Sequence, residues 1–325
     1  MSESTMDEAL GLLREGGCSI ATPIKTAHKA GVAPPLFKGV TEACRASFGR
    51  GINSVHIGGG EPFIDFEGLL TLLNKAAKFG IRVDYIETNA CWATDENTVA
   101  RYLSVLRKAG ADTLCISIDP FHAEYVPYAY PLRLAEICRK SGFGYFLWKE
   151  QFVNALRNTN PDIAHDRAAL EKSIGREYIR DTAKAYGLKT GGRAINIELE
   201  YSPRKPVEEL LAPAAGKTCD GLVSTAHFHV DMYNRFIPPG CTGFVLPMKE
   251  VVHGIPAGKY PVFEALHGGG TVALYALAKA HGFVADAKGY ATRCALCFFM
   301  RKFLSETGKF AELDAEFYVQ SLEYY

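Results

Sequence analysis

The sequence predicts an α/β fold, a barrel or an open parallel sheet in its first half, followed by a smaller unit rich in cysteine. From Ser54 onward, short apolar runs rich in β-branched and aromatic residues alternate with longer segments of helical period. The run centres Val55, Asp84, Cys115 and Phe146 recur about every thirty residues, one βα unit each. After Leu199 this regularity fails, and Cys219, Cys241, Cys294 and Cys297 all follow that break.

Taken in order, MDEALGLLREGG and VTEACRASFGRG read as helices closed by glycine. The first strand is expected at SVHI (54–57). A helix over FEGLLTLLNKAAKF stops at Gly80, IRVDYIE (81–87) is the second strand, and TVARYLSVLRKA is a helix that stops at Gly110. DTLCISI (112–118), FGYFLW (143–148) and AINIEL (194–199) are the remaining strands expected in the sheet. SPRKPVEELLAPAAGK has the proline and small-residue content of a linker, which sets a boundary near residue 205 and domains of 1–205 and 206–325. Beyond it, AHFHVDM reads as a strand and IPPGCTG as a turn, with helices near 271–281 and 293–305. The terminal FYVQSLEYY is read as a packed or surface helix, and REYIRDTAKAYGLK as a solvated helix surface.

Thirty-six basic residues balance thirty-six acidic ones, which argues against a strong electrostatic footprint for nucleic acid or an anionic membrane, so neither partner is expected. With 48% hydrophobic and 22% charged residues the composition is that of a globular protein. No apolar run approaches the roughly 18 residues that cross a bilayer, and MSESTMDEAL has neither a basic flank nor a hydrophobic stretch, so a cytoplasmic protein is expected. An odd count of nine cysteines in such a chain points to free thiols, metal ligation or redox chemistry rather than to a disulfide framework.

Ligands of α/β folds sit at the C-terminal ends of parallel strands. Gly58-Gly59-Gly60-Glu61-Pro62 follows the first strand, Glu87-Thr88-Asn89-Ala90 ends the second, and Ser117-Ile118-Asp119-Pro120 ends the third. Glycines admit a ligand close to the backbone, Glu61 can hold a cationic amine and Pro62 stiffens the exit. Alone, a glycine-rich loop is more often a turn that needs positive φ, and Ser117 and Asp119 read almost equally well as groups capping the next segment.

Together, over about residues 50 to 200, these three tips resemble the radical S-adenosylmethionine (radical SAM) superfamily. The resemblance implies a partial (β/α)6, TIM-like barrel with a smaller C-terminal cysteine-containing metal domain. It also implies an S-adenosylmethionine site in which Gly59, Gly60, Glu61 and Pro62 form the amine grip and Thr88, Asn89, Ser117 and Asp119 contact cofactor or substrate. The family's CxxxCxxC loop holds the [4Fe-4S] cluster. Here its match starts at Cys18, and Thr22 and Lys25 stand where the second and third cysteines belong. Thiolates hold such clusters, and neither replacement is an ordinary ligand. Cys44 and His28 lie nearby, Cys44 among apolar neighbours that suit a core thiol.

Cys219, Cys241 and the pair Cys294-Ala295-Leu296-Cys297 form a ligand set for a structural zinc or an iron-sulfur cluster, with four unrelated buried thiols as the bland alternative. The group is similar to the auxiliary-cluster extensions of radical SAM enzymes, in which a cysteine, a hairpin ending in a glycine-cysteine turn, and a late CxxC converge. HFHVDMYNRFIPPGCTG has that hairpin form. His227 and His229 alternate on one strand face, as ligands, as donors to ligands, or as an ordinary half-exposed pair. His122 stands where a general acid or base would lie, though a turn histidine is usually structural. Tyr145, Phe146 and Trp148 fill the sheet face or wall a pocket.

The resemblance implies an enzyme whose reduced cluster cleaves S-adenosylmethionine, with an auxiliary cluster that binds or oxidises a substrate, in relatives often a peptide or protein. Two alternatives stay open. One is a relative without the radical cluster, serving as a metal-bearing or peptide-binding scaffold. The other is a zinc-stabilised α/β barrel enzyme of unrelated hydrolytic type using His122 and Glu61 as an acid-base pair, for which no nucleophile constellation stands out.

Overall fold

The computed structural model describes residues 7–8, 54–58, 61–148, 150–186, 194–219, 221–222, 228–231 and 233–322. They group into two compact units, one holding the described residues up to 186 and the other those from 194 onward. The two helices expected ahead of Ser54, apart from Asp7 and Glu8, lie outside the described residues, as do Cys18, Thr22, Lys25, His28 and Cys44.

The first unit is built on a parallel four-stranded sheet in the order β1-β2-β3-β4: β1 (Ser54–Ile57), β2 (Arg82–Thr88), β3 (Thr113–Ser117) and β4 (Gly144–Trp148). Three helices connect them, α1 (Phe66–Lys78), α2 (Glu96–Lys108) and α3 (Ala129–Ser141). Each start is explained locally. Asp65 accepts the Gly68 N–H at 2.9 Å ahead of α1, and Asp95 accepts the Thr98 N–H at 2.9 Å ahead of α2. After α1, α2 and α3 come Gly80, Gly110 and Gly142, each with positive φ, which lets the chain turn back to the next strand.

The apolar face of these helices packs on one face of the sheet, where Ile86, Leu114 and Ile116 are fully buried with Leu106 and Leu134. Paired residues of a parallel ladder share a face. Glu87, Cys115 and Phe146 therefore form one row across the other face, with Ser117 beside Trp148 in the next. Phe146 and Trp148 stay 39% and 42% exposed.

After β4 the chain turns helical, through α4 (Gln151–Leu156), α5 (Arg167–Ile174) and α6 (Arg176–Tyr186). AINIEL is not a strand: it lies in α7 (Ala194–Tyr201), a correction to the sequence reading. Ile195, Asn196 and Ile197 are buried consecutively, so the alternation at Ile195 and Ile197 was not that of a two-sided strand. Short apolar runs are ambiguous in this way, and Ala, Leu and Glu favour the helix.

The second unit continues from α7 into α8 (Val207–Leu211) within the proline-rich stretch read as a linker. A small antiparallel sheet follows, β5 (His229–Val230), β6 (Arg235–Ile237) and β7 (Leu246–Pro247). Then come α9 (Met248–His253), α10 (Pro261–Ala280), α11 (Arg293–Glu306) and α12 (Ala315–Leu322). The helix expected near 271–281 begins ten residues earlier, but it breaks at Gly270, whose φ of 62° and ψ of -150° are not helical. Among the described residues, no helix is long and apolar enough to cross a membrane.

Candidate functional site

At the open ends of β1 and β2, the Glu61 carboxylate joins two strand tips. Its Oε1 accepts the Phe63 N–H at 3.2 Å and the Thr88 hydroxyl at 2.9 Å, and its Oε2 accepts the Asn89 N–H at 2.7 Å. Burial, the largest influence, leaves the Glu61 carboxyl above its ordinary pKa despite these donors. A carboxylate offers about four lone-pair sites, so three protein donors leave room for one more on Oε2. Thr88 is saturated: besides donating to Glu61, its oxygen accepts the Ala90 N–H and the Trp92 indole N–H, each at 3.0 Å. Asn89 turns its side-chain oxygen back onto the Cys91 N–H at 2.9 Å, and Ala90 sits at φ 61°.

The third tip is organised differently. Asp119 is 1% exposed, and its Oδ1 accepts the N–H groups of Phe121 at 2.8 Å and His122 at 3.0 Å. Its Oδ2 lies 2.6 Å from His122 Nδ1, so a proton on Nδ1 leaves Nε2 of the partly exposed ring as the chemically available nitrogen. Burial works against protonation of His122, yet the Asp119 bond and charge, with Glu61 and Glu87, outweigh it and raise the pKa. Burial likewise pushes Asp119 up, and the His122 bond and charge with the turn N–H groups overcome it and leave the carboxyl lowered.

Glu61, Thr88 and Asn89 are thus in mutual contact, with His122 close enough for its charge to act on Glu61. Asp119 reaches that group through His122. Ser117 belongs to the row with Trp148, whereas Thr88 pairs with Ile116 on the opposite face. Pro62 opens a 3-10 turn at Pro62–Asp65 that Glu61 caps, and Gly59 and Gly60 lie outside the described residues. Sequence reading passed over His56, whose Nε2 lies 3.6 Å from Glu87 and whose ring stacks on Tyr85 at 4.9 Å. The β-bulge between Val55 and His56 that sets this register left no signal in the residue pattern.

In the second unit, three separate segments carry the late cysteines. Cys219 donates its N–H to the Leu266 carbonyl, beside the break at Gly270. Cys241 follows Gly240, φ 72°, in the loop between β6 and β7. Cys294 and Cys297 lie in the first turns of α11, which Thr292 caps by accepting the Ala295 N–H. The neighbouring Cys241 thiol holds Cys219 below its ordinary pKa, while Cys241 is raised by Cys219 and by burial. Burial raises Cys294, and Cys297 to about 11, and the charge of Cys219 acts on both.

All four sulfurs are therefore electrostatic neighbours, and a thiolate donor set suits zinc or iron-sulfur in kind. They do not form a closed ligand shell: among the described residues, no group of three or more His, Cys, Asp or Glu could hold a metal ion as placed. His227 lies outside the described residues, and His229 is exposed on β5. A residue missed in the sequence lies on the same helix as Cys297: the Arg301 guanidinium, whose charge acts on that thiol. Its position four residues after Cys297 was the available signal.

The chain matches no protein-family model, and no curated protein matches it.

Proposed function

We propose that this is a radical SAM superfamily iron-sulfur protein, an oxidoreductase or transferase of the cytoplasm that modifies a peptide or other substrate. In this reading the four-stranded sheet is part of a partial (β/α)6, TIM-like barrel. The observation that carries it is Glu61, a half-buried carboxylate fixed across the tips of β1 and β2 with one acceptor position left, beside a polar tip at β3. Such a carboxylate is built to hold an ammonium group. Thr88 and the Asn89 backbone orient it, and Asp119 and His122 place an ionisable nitrogen on the far side of the β2 tip.

A [4Fe-4S] cluster with S-adenosylmethionine would supply the radical chemistry, and the protein's part is to position the substrate and exclude water. Cys219, Cys241, Cys294 and Cys297 would hold the auxiliary cluster, or zinc, after the sulfurs close on the ion; Cys18 would contribute to the first cluster. Thr22 and Lys25 favour a second reading, a radical-SAM-like scaffold that has lost the radical-generating cluster and binds metal or peptide only.

Calorimetric binding of S-adenosylmethionine to anaerobically reconstituted wild type and Glu61→Gln tests the first reading. Loss of the carboxylate charge should weaken binding by about tenfold or more, as a charge-assisted hydrogen bond is lost. An analogue lacking the α-amine should bind both proteins equally. Equal binding of the intact cofactor to both proteins would contradict the assignment.

A further inference from the structure

The face of the β1-β4 sheet away from α1, α2 and α3 holds side chains that the Glu61 group does not use. Near its end β3 presents only the small Cys115 and Ser117 there, between Tyr85 and Glu87 on β2 and Phe146 and Trp148 on β4. Two strand spacings separate these walls, about 10 Å. At its lower end the trough is closed: the Tyr85 and Phe146 rings meet edge to face at 5.2 Å over Cys115, which is 3% exposed. Toward the strand tips it is open, with Phe146 at 39%, Trp148 at 42% and the Glu87 side chain at 42% exposure.

The Glu87 carboxylate stands at that mouth. Gly58 makes room for it, since a Cβ there would lie 2.6 Å from Glu87 Oε2. Oε1 lies 3.6 Å from His56 Nε2, outside hydrogen-bond range. Burial chiefly, and the Glu87 charge after it, push the Tyr85 phenol up and the Cys115 thiol up to about 12. Both stay neutral at pH 7, so among these lining residues Glu87 carries the charge. An anion is repelled by it, and an apolar ligand would strip water from the carboxylate without replacing the lost hydrogen bonds. A guanidinium meets the rings and the carboxylate at once: it is planar and weakly hydrated, it stacks on aromatic faces, and its N–H fork matches a carboxylate. The ammonium of lysine, a strongly hydrated point charge, matches the rings less well.

We propose that the mouth of this trough is a recognition subsite for an arginine side chain of a peptide, its guanidinium laid against Phe146 and Trp148 and donating to the Glu87 carboxylate. The assignment deepens the proposed function and rests on it for the peptide, but binding at this face needs neither a cluster nor S-adenosylmethionine. A role limited to packing would give the trough no preference for charge.

The test is calorimetric titration of the full chain, without added cofactor, with the blocked peptide acetyl-Gly-Gly-Arg-Gly-Gly-amide and with its counterparts carrying lysine or the neutral isostere citrulline. Wild type should bind the arginine peptide about tenfold or more tightly than the citrulline peptide, the scale of a charge-assisted hydrogen bond, with the lysine peptide between them. Glu87→Gln should remove that preference and leave citrulline binding unchanged, and Trp148→Leu should weaken the arginine peptide a few-fold. The comparison of peptides on wild type needs no variant, so it stands whether or not the substitutions disturb folding. Equal binding of the arginine and citrulline peptides, or no binding of either, would overturn the subsite. Free arginine bound as tightly as the peptide would overturn the peptide as its occupant. Each of these results leaves the cofactor assignment standing, which falls on the Glu61→Gln titration instead.

Discussion

Asp119 and His122 show how a single residue type changes meaning with its surroundings. Asp119 reads in the sequence as a cofactor or substrate contact or, almost equally well, as a capping group, and its buried carboxylate accepts from its own turn and lies against the imidazole. The pH dependence follows from the signs. His122 is raised, so its contribution to stability is complete below the unfolded value near about 6.5 and is lost as pH rises through the higher folded value. Asp119 is lowered, so its contribution is present above about 3.9 and is lost as pH falls through the folded value. Asp119→Asn should bring the His122 midpoint, followed by its ring proton resonances, below the wild-type value, because burial then acts with only the more distant Glu61 and Glu87 to oppose it. An unchanged midpoint would mean that the 2.6 Å contact does not govern the ring.

Among the elements, those marked by local chemistry were legible and those fixed by packing were not. β1 through β4 and the helices ending before Gly80 and Gly110 stood out because strand-period and helix-period runs alternate and glycine closes each helix. AINIEL misled because six residues cannot separate a buried strand from a buried helix, and the consecutive burial that decides the matter comes from tertiary contacts. The site divides the same way. Glu61, Thr88 and Asn89 were found from their places at strand tips, whereas His56 and Arg301 gain their partners through a bulge and through helix packing.

Gly270 ties an element to a site. A Cβ there would lie 2.2 Å from the Lys217 carbonyl oxygen, two residues before Cys219, and φ is 62°. Gly142 has a similar φ of 64°, but a Cβ there meets nothing within 4 Å. Gly142→Ala should therefore cost about 1 kcal/mol, the conformational term alone. Gly270→Ala should cost several times that, measured by urea unfolding, and should also lower metal uptake by displacing the Cys219 segment. Equal costs at the two positions would show that the segment yields to the new methyl group.

At the scale of the whole molecule, the chain carries a parallel-sheet unit with a hydrogen-bonded carboxylate at its strand tips and a second unit in which Arg301 is buried beside Tyr318 and Cys297. In the proposed function, each unit would hold an iron-sulfur cluster. Iron, acid-labile sulfide and zinc per chain, counted after anaerobic reconstitution of wild type and of the Cys294→Ala, Cys297→Ala double variant, test it most directly. The account predicts about eight irons with matching sulfide in wild type and about four surviving in the variant. About four irons, all lost in the variant, would contradict radical chemistry and leave the metal-bearing scaffold, and zinc alone would make the second unit's centre structural.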